Sequence, residues 1–259
     1  MGEELVHRNV EAGIATITLD SPHNRNALSA QLRRELREQL AAALADEAVR
    51  VVILDHTGPV FCSGMDLKES SGAGSQDQGV RELPDILETL WTSPKPVVAK
   101  LAGPARAGGV GIVAACDLAV AAETATFAFS EVRIGVVPAV ISLTVLPRLQ
   151  PRAAHELFLT GETFDAHRAV EIGLPNSAVP AEELDTRTRR YADLLTRGAP
   201  NALAATKAML RRPRASTLNE DFDAMLDLSA HHFASEEGQE GMRAFKEKRP
   251  ASWVPEQES

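Results

Sequence analysis

The sequence predicts an α/β protein in which a mostly parallel sheet is followed by a helical C-terminal part. Strand and helix patterns alternate up to about residue 130, which is typical of parallel βαβ units. From about residue 139 onward strand patterns almost disappear, and helical periodicity dominates. The chain has 259 residues, which is enough to bury a sizeable core in one large domain or two small ones.

The first two elements show the alternation clearly. Residues 14–19, IATITL, alternate apolar residues with threonine and therefore predict a half-buried strand. Leucine then recurs at every fourth position from Leu28 to Leu44, which predicts the apolar face of a helix with Ser29 as its N-cap. The other face of this helix mixes basic and acidic residues, and we expect it to be solvated. Its charged residues are Arg33, Arg34, Glu35, Arg37 and Glu38.

The later elements follow the same logic. Residues 51–54 predict a short buried strand, and residues 69–79 have the small, polar composition of a mobile loop. The α/β part is completed by helices predicted over 80–91 and 108–115 and by strands predicted over 97–101, 118–121 and 127–129. Further helices are predicted over 151–159, 165–171, 181–197, 199–211, 217–233 and 237–247.

Composition and charge narrow the class of partner. The net charge of −9 disfavours nucleic acid as the main partner, because neutralising phosphates requires a basic surface. An anionic small ligand remains compatible, since it needs only a few local donors. The acidic start MGEELVHRN has no apolar core, so it predicts neither a signal peptide nor a transit peptide. We expect a cytoplasmic protein that does not interact with membranes.

Cysteine and histidine give no indication of a metal site. Cys62 and Cys116 lie far apart in apolar surroundings and are expected to be buried free thiols. His155, His167 and the pair His231–His232 have no third ligand at metal spacing, so we expect structural or exposed roles for them.

The stretch ARAGGVGIVAACD, residues 105–117, places three glycines at the start of an apolar helix. Such a cluster indicates that something approaches the backbone closely. A tight turn without a ligand is one interpretation. A dinucleotide site is a second, because Gly109, Gly111 and Ala114 match G-x-G-x-x-A, but four residues separate this turn from its strand. An oxyanion hole is the third, with a second N–H donor in the loop 58–69.

Several motifs together resemble the crotonase superfamily of enoyl-CoA hydratases and isomerases. They are FCSGMDLKE (61–69), GPARAGGVGIVAACDLAVAAETATFAFSEVRIGVVP (103–138) and LFLTGETFDAHRAVEIGL (157–174), with SPHNRNALSAQL and SEEGQEGMRAFKEKRP near the two ends. The resemblance implies a crotonase-like ββα-spiral core over residues 1–195. It also implies a C-terminal helical trimerisation region over 196–259, and trimers that usually pair into hexamers. The implied ligand is an acyl-CoA thioester, with no cofactor besides the CoA of the substrate.

Carried over by position, the resemblance places the two oxyanion donors at the backbone N–H groups of Met65 and Gly108. It places the catalytic acid/base at Glu131, in FAFSEVRIGVVP. The well-known hydratases of the family have a second glutamate, but this chain has Gly111 at that position. We expect the apolar neighbours Phe127, Phe129, Val132 and Ile134 to raise the pKa of Glu131.

The resemblance also implies contacts with the CoA thioester. The residues carried over as substrate-binding are Arg25, Cys62, Gly64, Asp66, Leu67, Lys68, Gly109 and Ile141. In the last helix, Phe245 and Lys248 are candidates for completing the site of a neighbouring subunit.

A single glutamate leaves the reaction open between hydration of a 2-enoyl-CoA and Δ3,Δ2-enoyl-CoA isomerisation. The turn expected at 137–142, VPAVIS, is bulkier than the glycine-rich turn of common short-chain hydratases. It favours a hydratase acting on a branched or glutaconyl-type acyl group. A non-catalytic paralogue that binds acyl-CoA or RNA is the alternative from another class. Contacts with phosphate weaken as the salt concentration rises. Whether binding of acyl-CoA or of RNA survives moderate salt would therefore distinguish these alternatives.

Overall fold

The structure is a computed structural model that describes residues 4–66, 69, 82–213, 215 and 217–255. Its strands are β1 (Val6–Glu11), β2 (Ile14–Leu19), β3 (Val51–His56), β4 (Val97–Leu101), β5 (Ala105–Arg106), β6 (Leu118–Ala122), β7 (Thr126–Ala128), β8 (Phe164–Asp165) and β9 (Ser177–Val179).

The helices begin after the first two strands. They are α1 (Ala30–Ala45), α2 (Glu82–Thr92), α3 (Gly108–Ala115), α4 (Ala139–Val145), α5 (Pro151–Thr160), α6 (Ala166–Glu171), α7 (Leu184–Thr196), α8 (Pro200–Met209), α9 (Leu218–Ala234) and α10 (Glu236–Glu247). Short 3-10 helices occupy Pro22–Asn24, Ser130–Ile134 and Ala181–Glu183. No helix in the described part of the chain is both long enough and apolar enough to span a bilayer.

The strands form two sheets. The larger sheet has the order β1-β2-β3-β4-β6-β9, in which only β1 and β2 pair antiparallel. The smaller sheet, β5-β7-β8, joins the segment before α3 to the segment before Ser130–Ile134. The prediction of a mostly parallel sheet is confirmed, and the smaller sheet is what brings two site segments together.

The predicted first helix is largely confirmed. Ser29 is its N-cap, with its hydroxyl accepting from the Leu32 N–H at 3.3 Å, and Leu32, Leu36 and Leu40 are buried. Leu28, however, precedes the helix, and its N–H donates to the Gly64 carbonyl at 2.8 Å. The leucine pattern therefore continues one turn beyond the helix, into a contact with the site loop.

The expectation of a solvated charged face on α1 is wrong for two residues. Arg33 is buried, where it donates to the Leu28 carbonyl and pairs with Glu82 at 2.9 Å. Glu35 accepts from the N–H of Leu5 at 2.6 Å and thereby holds the start of β1. A long charged side chain can be buried when its polar end finds partners, and helical periodicity does not reveal such partners.

The sequence analysis missed β1, β9 and α4, as well as the two-residue strands β5 and β8. Strand β1 is exposed at all but its first residue, so it lacks an apolar alternation, and β9 has only three residues. Residues 137–142 were expected to form a turn, but α4 begins at Ala139 and continues through this segment. Pro138 starts this helix, because a proline is tolerated where no intrahelical N–H bond is required.

A buried amine joins the helical C-terminal part to the sheet. Lys207 of α8 is 6% exposed, and its Nζ pairs with Asp117 at 2.6 Å. The same Nζ donates to the Leu90 carbonyl at 3.1 Å and to the Ser93 hydroxyl at 3.3 Å. Asp117 also accepts from Arg211 at 2.6 Å, so one carboxylate binds two cations of the C-terminal part.

We predict that Lys207→Met destabilises the protein by about 3 kcal/mol, because it removes one partner of a buried ion pair and leaves buried carbonyl groups without a donor. Chemical denaturation measures the change. Lys246→Met, at an exposed position of α10, is the matched control and should change the free energy of unfolding by less than about 0.5 kcal/mol. Equal effects of the two substitutions would contradict an anchoring role for Lys207.

Candidate active site

A cavity of about 400 Å³ opens between several backbone segments. They are the loop after β3, the start of α3, the 3-10 helix after β7 and the segment 136–141 that leads into α4, with Leu83 of α2. Met65, Gly108 and Glu131 each contribute to its wall, so the structure brings together the three residues that the sequence analysis assigned to catalysis.

The loop after β3 is held in place by a buried asparagine that the sequence analysis did not single out. Asn26 has a positive φ of 51° and is fully buried. Its Nδ2 donates to the carbonyls of Thr57 at 3.0 Å and Val60 at 2.8 Å, and its Oδ1 accepts from the Ser21 N–H at 2.7 Å. Asparagine is one of the few residues that combine a left-handed backbone with both donor and acceptor groups. An asparagine within the turn-forming stretch SPHNRNAL is the sequence signal that could have identified this residue.

The start of α3 follows a strained turn. Ala107, the N-cap residue, has φ 48° and ψ −118°, a conformation that costs a residue with a Cβ on the order of 1–3 kcal/mol. Its N–H donates to the Ala128 carbonyl at 3.1 Å, which fixes the turn to the segment before Glu131. The turn places Gly108, the first residue of the helix, on the cavity wall.

The glycine cluster is explained by close backbone packing beneath the cavity. A Cβ on Gly109 would lie 2.7 Å from the carbonyl oxygen and 2.8 Å from the Cβ of Cys62. Because the first of these atoms is backbone, a side chain at position 109 would force the two segments apart. Gly109 therefore lets α3 pack directly on the loop that carries Met65.

The N–H groups of Met65 and Gly108 have no hydrogen-bond acceptor within the described residues. Gly108 is the first residue of its helix, so its N–H is one of those that a helix cannot satisfy internally. Two fixed N–H donors on the wall of one cavity can stabilise negative charge on a carbonyl oxygen.

Glu131 lies in the 3-10 helix after β7, where its Oε2 is buried and has no hydrogen-bond partner among the described residues. Burial raises the pKa of this carboxyl, with a smaller opposing effect of its own backbone N–H. Ile134 lines the cavity as expected, whereas Phe129 packs instead against the Phe158 ring at 4.4 Å. Phe127 packs against Phe164 in the same way, so the aromatic pair supports the segment rather than the carboxyl itself.

Gly111 and Ile141 form a complementary pair. Ile141 is 3% exposed and lines the cavity, and a Cβ on Gly111 would lie only 2.6 Å from its Cγ2. The space that a side chain at position 111 would enter is therefore filled by Ile141. A second acid at this position is absent from the sequence and has no room in the structure.

Comparison with known proteins decides the family. The family model described as enoyl-CoA hydratase/isomerase matches residues 9–256. The chain belongs to this family. It is similar to the carnitinyl-CoA dehydratase of Proteus mirabilis (32% identity, covering 96% of this chain and 97% of the relative). It is also similar to the mouse mitochondrial enoyl-CoA hydratase domain-containing protein 3 (32% identity, covering 93% and 81%).

A solved enoyl-CoA hydratase from Mycobacterium smegmatis superposes with a TM-score of 0.89 at 31% identity, covering 97% of this chain and 99% of that one. The expected crotonase-like α/β fold is thereby confirmed, as is the expectation of an enzyme of the enoyl-CoA hydratase type.

Three of the residues expected to touch the ligand are buried and are not among the described residues that line the cavity. Cys62 is buried. Its N–H donates to the Pro104 carbonyl at 3.4 Å, and its carbonyl accepts from the Arg106 N–H at 2.9 Å. Burial raises the pKa of its thiol to about 12, so the thiol is not a nucleophile. Gly64 and Gly109 are likewise buried and absent from the cavity wall, because their role is to let the backbones approach.

The other expected ligand contacts fall into two groups. Ile141 lines the cavity, whereas Asp66, which follows Met65, is half-buried. The side chain of Arg25 is exposed, and its backbone carbonyl accepts from the Ser63 N–H at 3.1 Å. Leu67 and Lys68 lie outside the described residues, as do residues 70–79 of the expected mobile loop. Phe245 and Lys248 are exposed at the end of α10.

We predict that Glu131→Gln raises the free energy of unfolding at pH 8, as measured by chemical denaturation. Burial disfavours the charged carboxylate, so the folded-state pKa is higher than the unfolded one. Stability contributed by this group is present below the unfolded pKa, near pH 4, and is lost as the pH rises through the folded pKa. Gln is neutral at every pH and avoids the loss.

The gain should disappear when denaturation is repeated near pH 4, where both variants carry a neutral side chain. Glu162→Gln, at an exposed position, is the matched control and should show no such pH-dependent gain. A stability difference between wild type and Glu131→Gln that does not vary with pH would contradict the burial argument.

Proposed function

We propose that this protein adds water to the double bond of a 2-enoyl-CoA. The observation that carries the proposal is one cavity that holds two backbone N–H groups without acceptors and one buried carboxyl of raised pKa. An enoyl thioester requires these groups, because its carbonyl oxygen gains negative charge while a proton moves at a neighbouring carbon. Relatives named as an enoyl-CoA hydratase and a dehydratase support the same reaction type.

In this mechanism the thioester carbonyl accepts hydrogen bonds from the N–H groups of Met65 and Gly108. The Glu131 carboxylate takes a proton from water as the water oxygen bonds to Cβ, and the electrons of the double bond move onto the carbonyl oxygen. Protonated Glu131 then returns its proton to Cα, and the product is a 3-hydroxyacyl-CoA. One oxyanion donor is typically worth about 3 kcal/mol, and one positioned acid/base about 10²- to 10⁴-fold in rate.

The raised pKa of Glu131 suits this exchange. A base whose pKa lies nearer neutrality returns its proton more readily to carbon than an ordinary carboxyl group does. Because the reaction begins with the carboxylate, kcat/KM should fall as the pH decreases through this pKa.

Isomerisation of a 3-enoyl-CoA is a second candidate, and the Gly111–Ile141 pair is the observation that favours it. With one carboxyl and apolar packing where a second acid would stand, Glu131 alone would remove a proton from C2 and return it to C4. This route consumes no water. The bulk of Val140 and Ile141 on the wall supports the finer expectation of a branched acyl group.

We also propose that the C-terminal helices mediate a trimer or hexamer, as the resemblance implies. Helices α9 and α10 pack against each other and leave large apolar side chains exposed. The exposed residues are Phe222, Leu226, Phe233 and Phe245. Such side chains on one helical pair are typical of a surface that another chain covers. The cytoplasmic location remains a prediction, and the mouse relative named above is described as mitochondrial.

We predict that wild-type protein, incubated in H₂¹⁸O with a panel of 2-enoyl-CoAs and 3-enoyl-CoAs, converts the 2-enoyl-CoAs to products heavier by one labelled water, detected by mass spectrometry. Glu131→Gln should lower kcat by about 10²- to 10⁴-fold, while binding of the CoA thioester stays nearly unchanged, because the carboxyl moves the proton and does not hold the CoA.

Glu162→Gln should retain full activity in the same assay. An unlabelled product of unchanged mass with a shifted double bond would establish the isomerase. Full activity of Glu131→Gln would contradict both candidate mechanisms.

A further inference from the structure

We infer that the acyl pocket selects an uncharged, apolar acyl group and rejects one that ends in a carboxylate. This inference rests on the proposed function and deepens it, because it narrows the acyl group to a neutral one and excludes the glutaconyl type.

The wall of the cavity is almost entirely apolar. Fourteen described residues line it, and Glu131 is the only one of them that ionises. One side is the segment 134–141, which contributes Val136 and Val137, and the facing side includes Met65 and Leu83. An acyl chain on this wall would lose contact with water, and each buried CH₂ group would strengthen binding about fourfold.

A second carboxylate would find no partner in this lining. The charged form of Glu131 would repel it, and no cation stands among the described lining residues to offset the loss of hydration. The two arginines that adjoin the lining in sequence are directed elsewhere. Arg106 donates to the Thr126 carbonyl at 2.5 Å, and Arg133 donates to the Thr160 carbonyl at 3.2 Å.

Ile141 extends the apolar lining to the place where a polar group could have entered. Its side chain fills the space that a Cβ on Gly111 would enter, so this part of the lining is hydrocarbon. Burial of Ile141 at 3% exposure shows that this packing is tight. Among its described lining residues, the pocket therefore presents one carboxyl for chemistry and a mostly apolar surface around it.

The test compares two unreactive thioesters of equal length by isothermal titration calorimetry on the wild-type protein. Hexanoyl-CoA ends in a methyl group, and adipoyl-CoA ends in a carboxylate. We expect hexanoyl-CoA to bind at least about 50-fold more tightly than adipoyl-CoA, because about three CH₂ groups lose their burial when the carboxylate stays in water. Equal affinities, or tighter binding of adipoyl-CoA, would overturn the inference.

A charge-adding variant tests the cause. Val137 lines the pocket and is 76% exposed, so Val137→Lys should be tolerated and should place a cation at the wall. It should lower the preference for hexanoyl-CoA over adipoyl-CoA about tenfold, because the added cation pairs with the terminal carboxylate. Leu210→Lys is the matched control, since Leu210 is 78% exposed and is not part of the lining. If both variants improved adipoyl-CoA binding equally, or neither did, the apolar wall would not be the cause and the inference would be wrong.

Measurements of turnover distinguish a failure of the proposed function from a failure of the inferred acyl preference. If hexanoyl-CoA is preferred but neither 2-hexenoyl-CoA nor 3-hexenoyl-CoA is converted, the proposed function fails and the acyl preference stands. If 2-hexenedioyl-CoA is hydrated as efficiently as 2-hexenoyl-CoA, the hydratase stands and the acyl preference is wrong.

Discussion

The close passage of two backbone segments, Gly109 against Cys62, is the constraint on which the rest of the site depends. Only a residue without a Cβ can occupy position 109, because the Cys62 carbonyl stands 2.7 Å from where that atom would be. This contact brings the first N–H of α3 next to the loop that presents Met65. Neither donor requires a particular side chain, which explains why glycine dominates this stretch.

Several unfavourable local states surround that contact. Ala107 holds a strained backbone conformation, and Oε2 of Glu131 and two N–H groups lack partners within the described residues. Such groups reduce stability unless a ligand satisfies them, and they are typical of sites where stability is given up for function. The cost is offset elsewhere, by a large apolar core, by the buried amide network of Asn26, and by the Lys207–Asp117 pair.

Much of the fold could be predicted from the sequence, because its strands and helices carry strong local signals. Helix α3 and strands β2 and β4 match the predicted bounds. Two of the failures depend on contacts between residues distant in sequence. Arg33 is buried because Glu82 and the Leu28 carbonyl accept its hydrogen bonds, and β9 forms because it pairs with the edge of β6. The third failure is local: the segment 137–142 contains the start of α4 and not a turn, because Pro138 can start a helix as well as end one.

The catalytic roles and the ligand contacts carried over by resemblance stay predictions, but the structure shows where each of these residues lies. Met65, Gly108 and Glu131 meet at the cavity, but the resemblance could not tell that Cys62, Gly64 and Gly109 support the wall from behind. Position along a motif does not distinguish a residue that touches the ligand from one that allows backbones to pack. The space above Gly111 is similar, because only the structure shows that Ile141 fills it.

The most direct test of the account is the carbonyl stretching frequency of hexanoyl-CoA bound to the protein, isolated by ¹³C labelling of the thioester carbonyl and infrared difference spectroscopy. Two N–H donors in a cavity of low polarity should polarise the carbonyl more strongly than water does. We expect a frequency lower than in water, in wild type and in Glu131→Gln alike, because the donors are backbone groups. A bound carbonyl that absorbs at or above its frequency in water would contradict the oxyanion hole.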